Sequence, residues 1–159
     1  MMRYVLAATA LCVATPLLAQ SMPPADYVMM AGASDLYERE SSKLVLATTK
    51  NADVRKFATM MISAHNESTR MVKQAAAQEN VKAPPPQLTR AQKQMITQLQ
   101  AQKGEARDTA YIAQQRQAHD QALALQKNYA QNGTSAPLKA AAAKIVPVVE
   151  HHITMLKSM

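Results

Sequence analysis

Beyond residue 25 the chain alternates long stretches, in which apolar residues recur at three- and four-residue steps, with short polar or proline-bearing breaks. That is the pattern of amphipathic helices. The first stretch runs from about Asp26 to Thr49 and carries Val28, Ala31, Leu36, Leu44 and Ala47. Lys50-Asn51-Ala52-Asp53 interrupts it, with Asn51 placed to cap a second helix and Asp53 in its first turn, where a carboxylate suits the helix dipole. The second helix carries Phe57, Met61, Ile62, His65, Met71, Val72 and Ala76 to about Glu79. Ala83-Pro84-Pro85-Pro86 stops it, since proline lacks the donor a helix needs. Thr89 caps a short amphipathic piece ending near Gln100, with Ile96 and Leu99 apolar, and Gly104 marks the next interruption. A third long helix follows from about Glu105 to Ala130 and ends at Asn132-Gly133. Ser135, with Pro137 just inside, opens the last helix, which reaches Leu156 and should kink at Pro147.

Helices of about 24 residues are ~36 Å long, the proportions of a four-helix bundle. The short links around residues 50–53 and 131–135 demand antiparallel neighbours. The longer Val81–Glu105 segment with its own short helix either crosses the bundle end to end, as in ferritin-like topology, or decorates an up-down-up-down bundle. The expected fold is therefore all-α: a four-helix bundle with a short extra helix in the second connection.

The first residues belong to a different object. Arg3 supplies a positive start, Tyr4 to Val13 an apolar run, and Pro16-Leu17-Leu18-Ala19 a cleavage site before Gln20. This predicts a signal peptide over residues 1–19, a lead segment over 20–25 and one domain over 26–159, in the periplasm or secreted. The apolar run falls short of the ~20 residues that span a bilayer, so no membrane span is expected after cleavage. Cys12 is the single cysteine and leaves with the leader, so no disulfide can brace the domain. Three Gly, one Phe and no Trp in 159 residues argue against a β-sandwich. Without Arg3 the chain keeps 17 basic residues against 11 acidic ones, a net charge of +6. The basic residues are spread along every helix, and without aromatic stacking platforms nucleic acid is not an expected partner.

Several side chains fall on faces that look inward. His65 follows Phe57 and Met61 at four-residue steps; Glu40 lies between Leu36 and Leu44; His152 lies between Val148 or Val149 and Leu156. Asp108, Tyr111, Gln115 and His119 form a polar stripe on the third long helix. Glu40, His65, His119 and His152 could together hold a transition metal such as Zn, Fe, Cu or Mn, with Asp108, Tyr111 and Gln115 as a supporting network. The same residues, with Tyr111, could instead form a hydrogen-bonded layer that fixes helix register. No Glu is followed three positions later by His, so the di-iron signature is missing. Nor is there a nucleophile elbow or a Gly-rich phosphate loop, and an enzyme is not the expectation. His151 points about 100° from His152 and should face solvent. The eleven Met lack the clustering a soft-metal site would want and read as core filler. A non-catalytic binding or stress-related protein is the broad expectation, with a metal ion or a protein as partner.

Glu38-Arg39-Glu40-Ser41-Ser42-Lys43-Leu44, Val54-Arg55-Lys56-Phe57-Ala58-Thr59-Met60-Met61 with His65, Asp108-Thr109-Ala110-Tyr111 with Gln115 and His119, and Val146-Pro147-Val148-Val149-Glu150-His151-His152 form a recognisable set. In combination the chain resembles a family of exported bacterial proteins of unknown function, often labelled as outer membrane proteins and assigned to the ferritin-like fold. The resemblance implies a periplasmic ferritin-like bundle in which Glu40, His65, His119 and His152 are the recurring polar positions. It implies no activity. Ala64 and Arg107 depart from the family pattern, which usually has Asp and Phe there, and Ala64 removes a carboxylate that could have oriented His65.

Overall fold

The computed structural model describes residues 21–82 and 84–159; the leader expected over residues 1–19 lies outside them. Five helices follow one another: α1 Pro24–Leu46, α2 Ala52–Gln78, α3 Arg90–Ala101, α4 Gly104–Asn132 and α5 Ala136–Lys157. No strand occurs among the described residues.

The boundaries follow local chemistry. Pro24 opens α1 at a position where its missing N–H costs nothing, two residues before the expected start. The Asn51 side chain accepts from the amides of Asp53 and Val54 and opens α2. Thr89 and Gln92 exchange hydrogen bonds in a capping box at the start of α3. Ser135 accepts from the Leu138 amide at the start of α5. At the far end of α2 the prolines are not the stop. Asn80, at a φ of 54°, turns left-handed, and the amides of Asn80 and Val81 bond back to the carbonyls of Ala77 and Ala76. The helix closes in a Schellman motif several residues before Pro84. Helix α5 continues through Pro147, whose ring and the facing Ala143 are both exposed, so the carbonyl left without a donor opens to water.

Chain direction emerges from the long-range contacts. Tyr27 bonds Gln126 and stacks on Tyr129, Ser42 bonds Tyr111, and Thr49 bonds Asp108, so α1 and α4 run antiparallel. Since α1 and α2 also form an antiparallel hairpin, α2 and α4 point the same way. The chain must then travel the length of the bundle between them, and the 79–103 segment with α3 does so, packing on α1 and α4. This is the single long crossover of ferritin-like topology, and it decides between the two topologies the segment length allowed. Arg107 fastens the top of this crossover: its guanidinium donates to the carbonyls of Leu99, Gln102 and Leu44 and to Thr48 Oγ1, bracing the C-terminal ends of α3 and α1.

The core is split in two. One apolar cluster joins Tyr27, Val28, Ala31, Val72, Ala76, Tyr129, Leu138 and Ile145. The other joins Val45, Val54, Phe57, Met61, Leu99, Tyr111 and Leu156. At the first end a side-chain carbon on Gly133 would stand 2.6 Å from the Tyr129 carbonyl oxygen and 2.7 Å from its ring. Gly133→Ala therefore has to push the Tyr27–Tyr129 stack apart. We expect it to lower the unfolding free energy by about 1–3 kcal/mol in urea denaturation; an unchanged midpoint would mean the turn relaxes without touching the stack.

Candidate metal centre

Between the two apolar clusters lies a layer of ionisable side chains. His65 from the middle of α2, His119 from the middle of α4 and His152 from α5 are 4%, 0% and 2% exposed. Their ring centroids form a nearly equilateral triangle with sides of 5.7, 5.8 and 5.3 Å. One ring nitrogen of each lies within 4.8 Å of the other two. Phe57 lies 6.2 and 6.4 Å from the rings of His119 and His152 and shields the triangle from the Tyr111 end.

The tautomers are set from behind. The Asp35 carboxylate sits 2.8 Å from His65 Nδ1, so that nitrogen carries the proton and donates. The Nε2 left bare is buried and meets no hydrogen-bond partner. His119 Nδ1 donates to the carbonyl of Gln115 one turn earlier, at 2.9 Å, which leaves His119 Nε2 bare as well. That nitrogen stands 3.3 Å from His152 Nδ1. Two lone pairs, each fixed by a separate acceptor, thus converge on the third imidazole. Burial also keeps His119 and His152 neutral. It pushes His119 down to about 4, helped by His65, and His152 down to about 3, helped by His119 and His65. His65 behaves oppositely: burial works against its charged form, but the hydrogen bond and charge of Asp35, with Glu38 beyond, outweigh it and raise its pKa.

Helix α1 supplies carboxylates, and not the one its leucines suggested. Glu40, placed inward between Leu36 and Leu44 by the sequence reading, has a side chain 43% exposed and pairs with Lys43 on the surface at 2.9 Å. It lies apart from the histidines. The inward stripe of α1 is instead Ala31, Asp35, Glu38, Ser42 and Val45, at alternating steps of four and three. Leu36 and Leu44 are only half-buried at its margin. Glu38 is fully buried, its Oε1 3.7 Å from His119 Nδ1, beyond hydrogen-bond range, and neither of its oxygens meets a donor. Burial lifts its pKa to about 7 against the opposing charge of His65. Asp35 is held in turn by Thr69, whose hydroxyl donates to Asp35 Oδ2 at 2.8 Å and accepts from Arg39 Nη1 at 2.8 Å.

The polar stripe of α4 is buried throughout, but its members part company. Asp108 accepts from Thr49 at the α1–α2 turn, far from the histidines. The Tyr111 hydroxyl pairs with Ser42. Gln115 donates to Ser41 and lends its carbonyl to His119. His151 is exposed. Asp35 was not singled out by sequence and Glu38 was quoted only within a motif; what marks them is the four-three step shared with Ala31, Ser42 and Val45, which small residues make faint.

Fold and site together define a ferritin-like four-helix bundle with a buried three-histidine layer. Residues 13–159 match the profile of a domain of unknown function, DUF4142, and the chain belongs to that family. Among solved structures it is similar to a DUF305 protein from Streptomyces coelicolor assigned to the secreted proteins, with a TM-score of 0.67 and 16% identity over 84% of this chain and 88% of that one. No curated protein matches the chain.

The opposite shifts of these groups shape the stability of the metal-free chain. Glu38, raised from 4.5 to about 7, contributes stability that is complete below pH 4.5 and is lost as pH rises through about 7. His119, depressed from 6.5 to about 4, contributes stability present above 6.5 that is lost as pH falls through about 4. Glu38→Gln should therefore gain on the wild type steadily between pH 4.5 and 7, read from urea midpoints at fixed salt. A gap that stays constant over that range would show that Glu38 titrates normally.

Proposed function

We propose that this protein is a binding protein of an exported compartment that holds one transition-metal ion through His65, His119 and His152. The observation that carries the reading is the meeting of three buried imidazoles from three helices, two of them with tautomers fixed so that bare nitrogens face the third. A tetrahedral ion with bonds of about 2.0–2.1 Å holds its nitrogens about 3.3–3.4 Å apart. His119 Nε2 and His152 Nδ1 are 3.3 Å apart already. Imidazole donors suit Zn, Cu, Fe or Ni, and the neutral rings of His119 and His152 need not release protons to bind them.

The surroundings favour holding an ion over reacting with one. The three rings are enclosed, and Phe57, itself fully buried, stands beside two of them. A catalytic metal keeps a position open to substrate. Export is supported by the signal-like leader and by the secreted assignment of the similar Streptomyces protein. No helix among the described residues is long and apolar enough to cross a membrane.

Elemental analysis of the chain purified without chelators tests the proposal, together with titration of the stripped protein by Zn2+, Cu2+ and Fe2+. One equivalent is expected to bind and to raise the unfolding midpoint. His119→Ala and His152→Ala should each weaken binding by at least about 100-fold, while Glu40→Ala leaves it unchanged. A stripped protein that takes up no ion, with the same midpoint in the presence of every metal, would leave the histidines as a purely structural layer.

A further inference from the structure

We infer that this site is built for a divalent rather than a monovalent cation, because α1 places two buried carboxylates, Asp35 and Glu38, behind two of the three ligand imidazoles. The inference rests on the three-histidine reading above and adds to it the charge of the ion. Three neutral imidazoles supply lone pairs and no charge, and the cost of burying an ion grows with the square of its charge. A doubly charged ion at this depth needs two negative charges close by. Helix α1 offers them at positions one turn apart, 4% and 0% exposed.

Each carboxylate stands behind its ring, Asp35 in hydrogen-bond contact and Glu38 just beyond it. Asp35 Oδ1 lies 2.8 Å from His65 Nδ1, on the side of the ring away from the bare Nε2. Glu38 Oε1 lies 3.7 Å from His119 Nδ1, again on the far side of the ring from the nitrogen that faces His152. A carboxylate behind a metal-bound imidazole makes the ring more basic and compensates the ion through it. Glu38 is the telling member. Both of its oxygens are buried without a partner in hydrogen-bond geometry, and the Gln115 side chain beside it offsets that burial only in part. The nearby Arg39 does not serve, since it donates to the His65 carbonyl and to Thr69 and is itself only partly buried.

Charge selectivity separates this role from simple positioning. Zn2+ and Ag+ affinities of the full chain would be measured by chelator competition at pH 8 for wild type, Asp35→Asn, Glu38→Gln and the double variant. Each amide keeps the shape and an acceptor oxygen and removes only the charge. Coulomb energy is proportional to the ion's charge, so the fold-loss for Zn2+ should be about the square of that for Ag+. A loss of about 100-fold for Zn2+ would accompany one of about 10-fold for Ag+. Glu38→Asp keeps the charge and should retain the wild-type preference, which carries the test if Glu38→Gln fails to fold. Equal losses for both ions, or no loss for either, overturn the inference and leave the carboxylates as orienting or structural groups. A wild-type chain that binds neither ion overturns the three-histidine reading itself.

Discussion

The constraint on which this structure depends is the desolvation of Asp35, Glu38, His65, His119 and His152 at mid-height in the bundle. Groups of this kind stay inside only when hydrogen-bonded, paired or bound to an ion. Their needs fix the register of all four long helices at once. Asp35 must meet His65, Gln115 must present its carbonyl to His119, and His152 must reach His119 from α5. A slip of one turn, about 5.4 Å, would break each of these pairings. The two hydrophobic clusters lie on either side of the layer, so they bring the helices together without determining how far each slides along the next. Alanine-rich faces, smooth and short, resist sliding poorly. The polar layer supplies the discrimination that such a core lacks.

Satisfaction across the layer is uneven, and the unevenness has direction. Asp35 is held by both His65 and Thr69, with Arg39 closing the ring. Gln115 donates to Ser41 on the α1–α4 side, though its own Oε1 is buried without a partner. Between these groups remain His65 Nε2 and the Glu38 oxygens, buried and without partners. An unpartnered buried polar atom costs about 1–3 kcal/mol. Here an acceptor nitrogen faces the histidine cluster and an acceptor carboxylate stands behind it. Both deficits are of the same sign, and a single cation bound there would relieve both.

The elements were legible in the sequence because their signals are local. The Asn51, Thr89 and Ser135 caps each act within three residues of where they stand. The end of α2 was placed well but for another reason, since Asn80 in a left-handed turn acts before the prolines do. His65 and His152 were legible because they lie in step with apolar residues, as His65 does with Phe57 and Met61, and His119 because it ends the polar stripe of α4. The carboxylates were not. On α1 the leucines lie at the margin of the inward face, and the center of that face is made of Ala31, Ser42 and Val45 beside Asp35 and Glu38. Reading the stripe from leucine therefore rotates the helix and selects Glu40, whose chemistry is right and whose direction is not. Packing against α4 and α2, rather than hydrophobicity, decides which face of α1 turns inward. The crossover topology was undecided for a similar reason, because segment length permits a path without choosing it.

The placement of the layer also determines what an ion would join. The α1–α2 and α4–α5 hairpins each pack more extensively within themselves than across to one another. His65 and both carboxylates belong to the first hairpin, and His119 and His152 to the second. An ion shared by the three imidazoles would therefore span the weaker of the two kinds of interface, between two units that each hold an incomplete site. Neither hairpin alone offers three ligands, so the free energy of binding an ion would become free energy of hairpin association. Release would require the same interface to open, since the rings are enclosed by their own helices. Any affinity and slow exchange at this site would then share one origin with the ferritin-like arrangement: a core that is apolar at both ends and polar in its middle.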